Sequence, residues 1–154
     1  MLIERNYVEN FCDKLRKEDK NIVFTNGCFD ILHVGHVRYL NAAKALGDVL
    51  IVGLNTDASV KKLKGNDRPI NNEEDRAEIL LALESVDHVV LFGEQTAENL
   101  IEEIKPNIYV KGGDYTLETL PEAKIVQSYG GSVQFIPMVI GKSTTNVINK
   151  ITMK

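Results

Sequence analysis

The feature that most constrains the fold is an alternation of short apolar runs with helical patterns. Between the runs, apolar residues recur every three or four positions, as in amphipathic helices. Strands that alternate with helices form right-handed crossovers, so the sheet is parallel and covered on both faces. We therefore predict an α/β fold with a doubly wound, five-stranded parallel sheet and helices on both faces. The five runs, most of them rich in β-branched residues, are 22–25, 49–54, 86–92, 108–110 and 133–136.

The length of 154 residues fits one ordinary domain. We divide it into an N-terminal helix within residues 1–20 and a core at 21–152. Hydroxyl side chains predict the start of two later helices, one at Thr96 and one at Thr144 or Thr145.

Composition excludes several classes of protein. The net charge is −4, whereas a protein that wraps nucleic acid is usually basic. No run approaches the roughly 18 uncharged apolar residues of a membrane helix, and the first residues lack the apolar core of a signal peptide. Only Cys12 and Cys28 are present, too few for a disulfide scaffold. We expect a cytoplasmic protein that binds neither nucleic acid nor membranes.

The exit of the first core strand carries the strongest chemical signal. Ligands of doubly wound sheets bind beyond the carboxyl ends of the strands, and His33, Gly35 and His36 follow this strand directly before a helix. Amides at a helix start suit an anionic phosphate, and a glycine lets the backbone approach a ligand closely. The two histidines would add side-chain donors at the same place.

A zinc site is the alternative for this loop. Cys28, Asp30, His33 and His36 are all metal-ligating types and lie within nine residues. However, all four belong to one loop, and the sequence offers no second cluster to complete a closed site. We rank zinc below phosphate and predict no metal ligands.

The same residues carry a resemblance to a known family. His33-Val34-Gly35-His36 fits the HxGH signature of the nucleotidyltransferase superfamily, which has a Rossmann-like fold. The longer string 24–33 closely resembles the heptose 1-phosphate adenylyltransferase branch, often found as the C-terminal half of a bifunctional heptose-phosphate kinase and adenylyltransferase. Together the resembling segments extend from about 22 to 151, nearly the whole chain. Further segments that resemble this branch are 55–61, 63–65, 68–71, 110–115 and 143–146.

The resemblance implies a reaction. In this superfamily a substrate phosphate oxygen attacks the α-phosphorus of a nucleoside triphosphate and pyrophosphate leaves, without a covalent enzyme intermediate. The expected substrates are ATP, accompanied by Mg²⁺, and a sugar 1-phosphate. Catalysis would then consist of positioning and stabilisation of charge on the phosphates.

The resemblance also assigns roles to residues of this chain. The expected catalytic residues are His33, His36, Lys61 and Arg76. The expected nucleotide-binding residues are Cys28, Phe29, Gly35, Lys64, Gly112, Gly113, Ser143, Thr144 and Thr145. The expected substrate-binding residues are Asp30, Arg68 and Asp114.

Several of these assignments have alternatives. The sequence does not choose between Lys61 and Lys64 for the phosphate contact, because they share a helix face. Asp30 could instead cap a turn, and Arg76 could form a surface pair with Asp75 or Glu73. The Gly141-Lys142 pair is not a P-loop, since Ile136 stands where that motif needs glycine.

Two other functions remain in competition. One is a cytidylyltransferase acting on glycerol 3-phosphate or a similar alcohol phosphate. Glycerol-3-phosphate cytidylyltransferases carry an arginine at the position of Met138 and an acidic residue at the position of Gly113. Both differences favour the sugar-phosphate branch. The other is a nucleotide-sensing module without turnover, which the intact HxGH motif disfavours. By analogy with relatives we expect a possible homodimer, and we expect a separate sugar kinase to supply the sugar 1-phosphate.

Overall fold

The computed structural model describes residues 1–113, 115–137 and 142–153. The strands in this part of the chain are β1 (Leu2–Ile3), β2 (Ile22–Gly27), β3 (Val49–Asn55), β4 (His88–Phe92), β5 (Ile108–Gly112) and β6 (Ser132–Ile136). The α-helices are α1 (Val8–Lys17), α2 (Val34–Lys44), α3 (Asp57–Lys64), α4 (Glu73–Leu81), α5 (Glu98–Ile104), α6 (Pro121–Ser128) and α7 (Thr144–Thr152).

All strands belong to one parallel sheet in the order β1-β4-β3-β2-β5-β6. From β2 the chain runs outward through β3 and β4, and then returns to place β5 on the other side of β2. The strand order therefore reverses between β2 and β5, the point where doubly wound sheets bind ligands. The predicted doubly wound parallel sheet is confirmed.

The predicted number of five strands is wrong, because the sheet has a sixth strand at its edge. Leu2 and Ile3 pair with Val89 and Val90 of β4. Two residues are too few to show an alternating pattern, so the sequence gives no signal for this strand. The N-terminal segment is accordingly an edge strand followed by a helix, and not a helix alone.

Two apolar cores cover the two faces of the sheet. Phe24 of β2 points to one face, where α1, α5 and α6 pack; Val23 points to the other, where α2 and α4 pack. Both side chains are fully buried. This alternation explains why β2 is apolar at successive positions, since a parallel strand in the middle of a sheet is buried on both sides.

Two helix starts differ from their predicted positions. Helix α5 begins after Ala97 without a side-chain cap, so the prediction that Thr96 caps it is wrong. Helix α7 is capped by Ser143, whose Oγ accepts the N–H of Asn146 at 3.0 Å, and not by either threonine that follows. Across the described residues, no helix is long and apolar enough to cross a membrane.

Candidate active site

A cavity of about 660 Å³ lies at the carboxyl ends of the strands. Its wall is formed by the segments that follow β2, β3, β4, β5 and β6 and by the first turns of α2, α6 and α7. It lies at the reversal of strand order, where the sequence places the candidate ligand-binding loops. Most of the predicted site residues that the structure describes lie on this wall.

His33 and His36 cap the first turn of α2. The N–H of Gly35 donates to Nδ1 of His33 at 3.0 Å, and the N–H of His33 donates to Nδ1 of His36 at 3.2 Å. This is a reciprocal capping box made by two histidines. Because the Gly35 amide is already bonded, the side chains of the histidines, and not that amide, are the donors that this turn offers to a ligand.

The hydrogen bonds fix the protonation of both rings. Each Nδ1 accepts an N–H and carries no proton, so the proton of the neutral imidazole is on Nε2. Burial, reinforced by the neighbouring His33, lowers the pKa of His36 to about 4. Burial and the charge of Lys142 also lower the pKa of His33. Both rings are therefore neutral at pH 7, and each has an Nε2–H that can donate to a phosphate oxygen.

Gly35 is required by the His33 ring. A Cβ at position 35 would lie 2.7 Å from Cε1 and 2.8 Å from Nδ1 of His33. These distances are far below van der Waals contact, so any other residue would push the ring away from the helix start. Gly35 therefore makes room for the His33 ring, which belongs to the site itself.

Cys28 and Phe29 form the wall between β2 and α2. The Phe29 ring packs against His36 with 5.4 Å between ring centroids. Burial raises the pKa of the Cys28 thiol, so it is protonated at neutral pH and is a poor metal ligand. In the described parts of the chain, no three His, Cys, Asp or Glu side chains converge to hold a metal ion. The geometry gives no support to the zinc alternative.

The start of α7 contacts the histidine loop. Thr144 donates its hydroxyl to the carbonyl of Ile31 at 2.9 Å, which ties this helix to the loop that precedes His33. Ser143 and Thr145 lie on the cavity wall beside it. The three predicted nucleotide-binding residues of this helix start therefore face the same cavity as the histidines.

Four cationic side chains lie on the cavity wall: Lys64, Arg68, Lys111 and Lys142. The chain as a whole has a net charge of −4. Local positive charge in a cavity favours an anionic ligand even when the average charge is negative.

Of the two lysines that the sequence left open, Lys64 is the one on the cavity wall. Both are in the last turn of α3, and both side chains are exposed. Lys61 lies outside the lining formed by the described residues. The assignment of Lys61 to catalysis stays a prediction, and the structure places Lys64 nearer to that role.

Asp30 holds a loop and does not present a free carboxylate. Its side chain is fully buried and accepts hydrogen bonds from Nε of Arg68 at 2.8 Å and from the N–H groups of Ile70 and Asn71 at 2.7 and 2.9 Å. Burial alone would raise the pKa of Asp30, but the bonds from Asn71, Ile70 and Arg68 together lower it. In this structure the carboxylate anchors the segment that carries Arg68, and its predicted substrate contact stays a prediction.

Arg76 is buried beneath the site. Its guanidinium donates to the carbonyl of Asn71 at 2.9 Å, the carbonyl of Cys28 at 2.7 Å and the carboxylate of Asp57 at 2.8 Å. It does not line the cavity as described, and at 1% exposure it forms no surface pair. The surface pair is therefore wrong, whereas the catalytic role stays a prediction: here Arg76 joins Cys28 after β2 and Asp57 after β3 to the start of α4.

At the end of β5, Gly112 lies on the cavity wall. A Cβ there would lie 3.1 Å from the Tyr39 ring, which accounts for a glycine. Gly113 is not among the described residues that line the cavity. Its φ of 90° is a left-handed conformation that favours glycine at this position. Asp114 lies outside the described residues, as does Met138.

Three charged residues of the wall belong to none of the predicted site residues: Lys111, Lys142 and Glu122. Lys111 is the last residue but one of β5, and Lys142 directly precedes the Ser143 cap of α7; a charge at either place can be expected to face a ligand. Glu122 lies in the first turn of α6. No motif distinguishes it from the other acidic residues of the chain.

A family comparison agrees with this fold. The family described as cytidylyltransferase-like matches residues 24–150. The match covers most of the chain, and the chain belongs to this family. Its architecture is the Rossmann-like nucleotidyltransferase fold.

Individual relatives are also similar. A protein named bifunctional protein HldE from Geobacter sulfurreducens is 54% identical over 136 residues, which are 88% of this chain and 28% of the relative. Its namesake from Aliarcobacter butzleri is 57% identical over 146 residues, 94% of this chain and 29% of the relative. The chain thus spans less than a third of the length of these relatives.

A crystal structure provides a third comparison. The lipopolysaccharide core biosynthesis protein from Thermoplasma volcanium GSS1 superposes with a TM-score of 0.63 at 30% identity. The superposition covers 78% of this chain and 97% of that one.

Proposed function

We propose that the protein transfers AMP from ATP to a heptose 1-phosphate, giving ADP-heptose and pyrophosphate. The observation that carries this proposal is the histidine cap, which presents two neutral Nε2–H donors to a cavity lined by four cations. The choice of a heptose is supported by the motifs that resemble heptose 1-phosphate adenylyltransferases and by the relatives named HldE.

The reaction is a direct displacement at phosphorus. An oxygen of the sugar phosphate attacks the α-phosphorus of ATP, and the bond from that phosphorus to the bridging oxygen breaks as pyrophosphate leaves. His33 and His36 donate hydrogen bonds to phosphate oxygens as charge builds up on them. Lys64, Arg68 and Lys142 neutralise part of the phosphate charge. No histidine has to gain or lose a proton in this step.

Mg²⁺ enters as part of the nucleotide substrate. The described residues contain no cluster of acidic or histidine side chains that would bind the ion by itself. With ATP bound, the triphosphate oxygens would hold the ion, as is usual for a cation that keeps much of its water.

A screen of nucleotides and acceptors tests the proposal. Purified protein is incubated with ATP or CTP, Mg²⁺ and one acceptor, and pyrophosphate release is measured together with the mass of the product. We expect ADP-heptose from ATP and heptose 1-phosphate. Turnover only with CTP and glycerol 3-phosphate would instead establish the cytidylyltransferase alternative.

A further inference from the structure

Glu122 is a buried carboxylate on the wall of the cavity. Its side chain comes from the first turn of α6, and the residue is only 5% exposed. Oε1 lies 3.4 Å from the N–H of Ala97, at the start of α5. Oε2 is buried and has no hydrogen-bond partner among the described residues.

An ionised oxygen in this position is costly without a donor. Leaving a buried polar group unsatisfied typically costs about 1–3 kcal/mol, and more when the group is charged. Within the part of the chain that the structure describes, Oε2 is the only buried side-chain oxygen or nitrogen in this condition. Because Glu122 lies on the cavity wall, a hydroxyl group of a ligand in the cavity is the natural source of its missing donor.

The surroundings of Glu122 favour a sugar over a bare phosphate. Burial lowers the pKa of the Lys111 amine, and the negative charge of the nearby Glu122 carboxylate offsets part of this decrease. The Lys111 amine also lies 5.3 Å from the centre of the Tyr115 ring. A cation, a carboxylate acceptor and an aromatic ring together match the phosphate, the hydroxyls and the apolar face of a sugar phosphate.

Glu122 and the histidines are on opposite sides of the sheet. Helix α6 packs on the face that also holds α1 and α5, whereas α2 packs on the other face. The cavity bridges the two at the ends of the strands. A triphosphate held at the α2 side therefore leaves the α6 side to the second substrate.

We propose that Glu122 selects the acceptor, with its unpaired oxygen accepting hydrogen bonds from hydroxyl groups of the sugar. This inference rests on the proposed function, because it assumes that a sugar phosphate is the second substrate. It makes Glu122 a specificity-determining residue and assigns it no part in the displacement at phosphorus.

The test compares E122Q with the wild-type protein. Glutamine keeps the volume and the oxygen that faces Ala97, but it replaces the unpaired acceptor with a donor. We expect the KM for heptose 1-phosphate to rise roughly 10- to 100-fold, as for loss of a hydrogen bond to a charged group, with the KM for ATP unchanged within about twofold. Glu118, exposed in the preceding turn, supplies the matched control E118Q, which should leave both values unchanged.

Two results would overturn the inference while the proposed function stands. One is an acceptor KM within about twofold of wild type in E122Q. The other is an equal rise in both KM values together with a lower melting temperature, which would assign Glu122 to the fold.

A binding measurement separates this inference from the proposed function. If wild-type protein forms no ADP-heptose, the proposed function fails, and thermal shifts with a hexose 1-phosphate and with inorganic phosphate are then compared. Greater stabilisation by the sugar phosphate in wild type, lost in E122Q, would support the role of Glu122. Equal stabilisation of both proteins by the sugar phosphate would refute it.

Discussion

At the scale of single residues, His33 and His36 each serve two purposes. One nitrogen of each ring caps α2 and the other is available to a ligand. A substitution that keeps an acceptor near the position of Nδ1 but removes the Nε2–H donor therefore separates helix capping from ligand binding.

Asparagine is such a substitution, because its side-chain oxygen can accept the capping hydrogen bond. We expect His33→Asn and His36→Asn to lower the rate of pyrophosphate release by about 10²–10³, as loss of one charge-stabilising donor does. Val34, which is 42% exposed within the same motif, provides the control Val34→Ala. Near-normal rates of pyrophosphate release in both asparagine variants would show that the histidines do not contribute to catalysis.

The lysines of α3 give a second prediction for individual residues. Lys64→Ala should reduce kcat/KM for ATP by about tenfold or more, since it removes a cation from the cavity wall. Lys61→Ala and Lys62→Ala remove exposed charges outside the wall and should stay within about twofold of wild type. Steady-state kinetics on the three variants measure the difference; a loss confined to Lys61→Ala would contradict this expectation and support the catalytic role of Lys61.

At the scale of elements, buried polar residues connect the loops that form the site. Asp30 fixes the segment from Arg68 to Asn71, and Arg76 links three segments beneath the cavity. Neither residue has to touch a ligand to be indispensable, because each determines where a loop lies.

Asp30→Asn tests this view. The variant places an amide where the carboxylate accepts one charged and two main-chain donors, so we expect the free energy of unfolding to fall by about 2–4 kcal/mol. Denaturant titration measures this change. Asp67, exposed in the same loop, is the matched control, and Asp67→Asn should unfold like wild type. Equal stability of both variants would show that Asp30 does not anchor the loop.

The sequence predicts elements with a strong apolar pattern, but it does not predict polar contacts between residues that are far apart in the chain. The runs that became β2 to β6 are apolar for reasons of burial, so their pattern is visible. The burial of Arg76 depends on partners at Cys28, Asp57 and Asn71, which the fold brings together from separate loops. A surface arginine and a buried one look the same in a helical segment.

The site shows the same division. The HxGH turn is local, so the sequence could identify it, whereas its use as a histidine capping box depends on side-chain rotamers. Glu122 reaches the cavity only because α6 packs beside α5, and no local pattern records that packing.

At the scale of the whole molecule, the histidines link stability to pH. Burial lowers the pKa of His36 to about 4 and also lowers that of His33 and His88. The unfolded chain, with ordinary histidine pKa values near 6.5, binds more protons below that pH. Stability should therefore be unaffected by these groups above about pH 6.5 and should fall as the pH is lowered towards 4.

Melting temperatures between pH 4.5 and 7.5 measure this effect. Carboxylates also titrate at the lower end, so His36→Asn isolates the histidine contribution at matched pH. We expect the variant to lose less stability than wild type between pH 6.5 and 4.5. Parallel curves for the two proteins would contradict the depressed pKa of His36.

The position of the cavity across both faces of the sheet has an evolutionary consequence. The capping hydrogen bonds of the HxGH turn join residues 33–36, on the α2 side, while Glu122 lies on the α6 side. Mutations that remodel α6 can accumulate without disturbing that turn. Under the proposed roles, a lineage would keep its nucleotide chemistry unchanged and change its second substrate through mutations in one helix on the opposite face of the sheet.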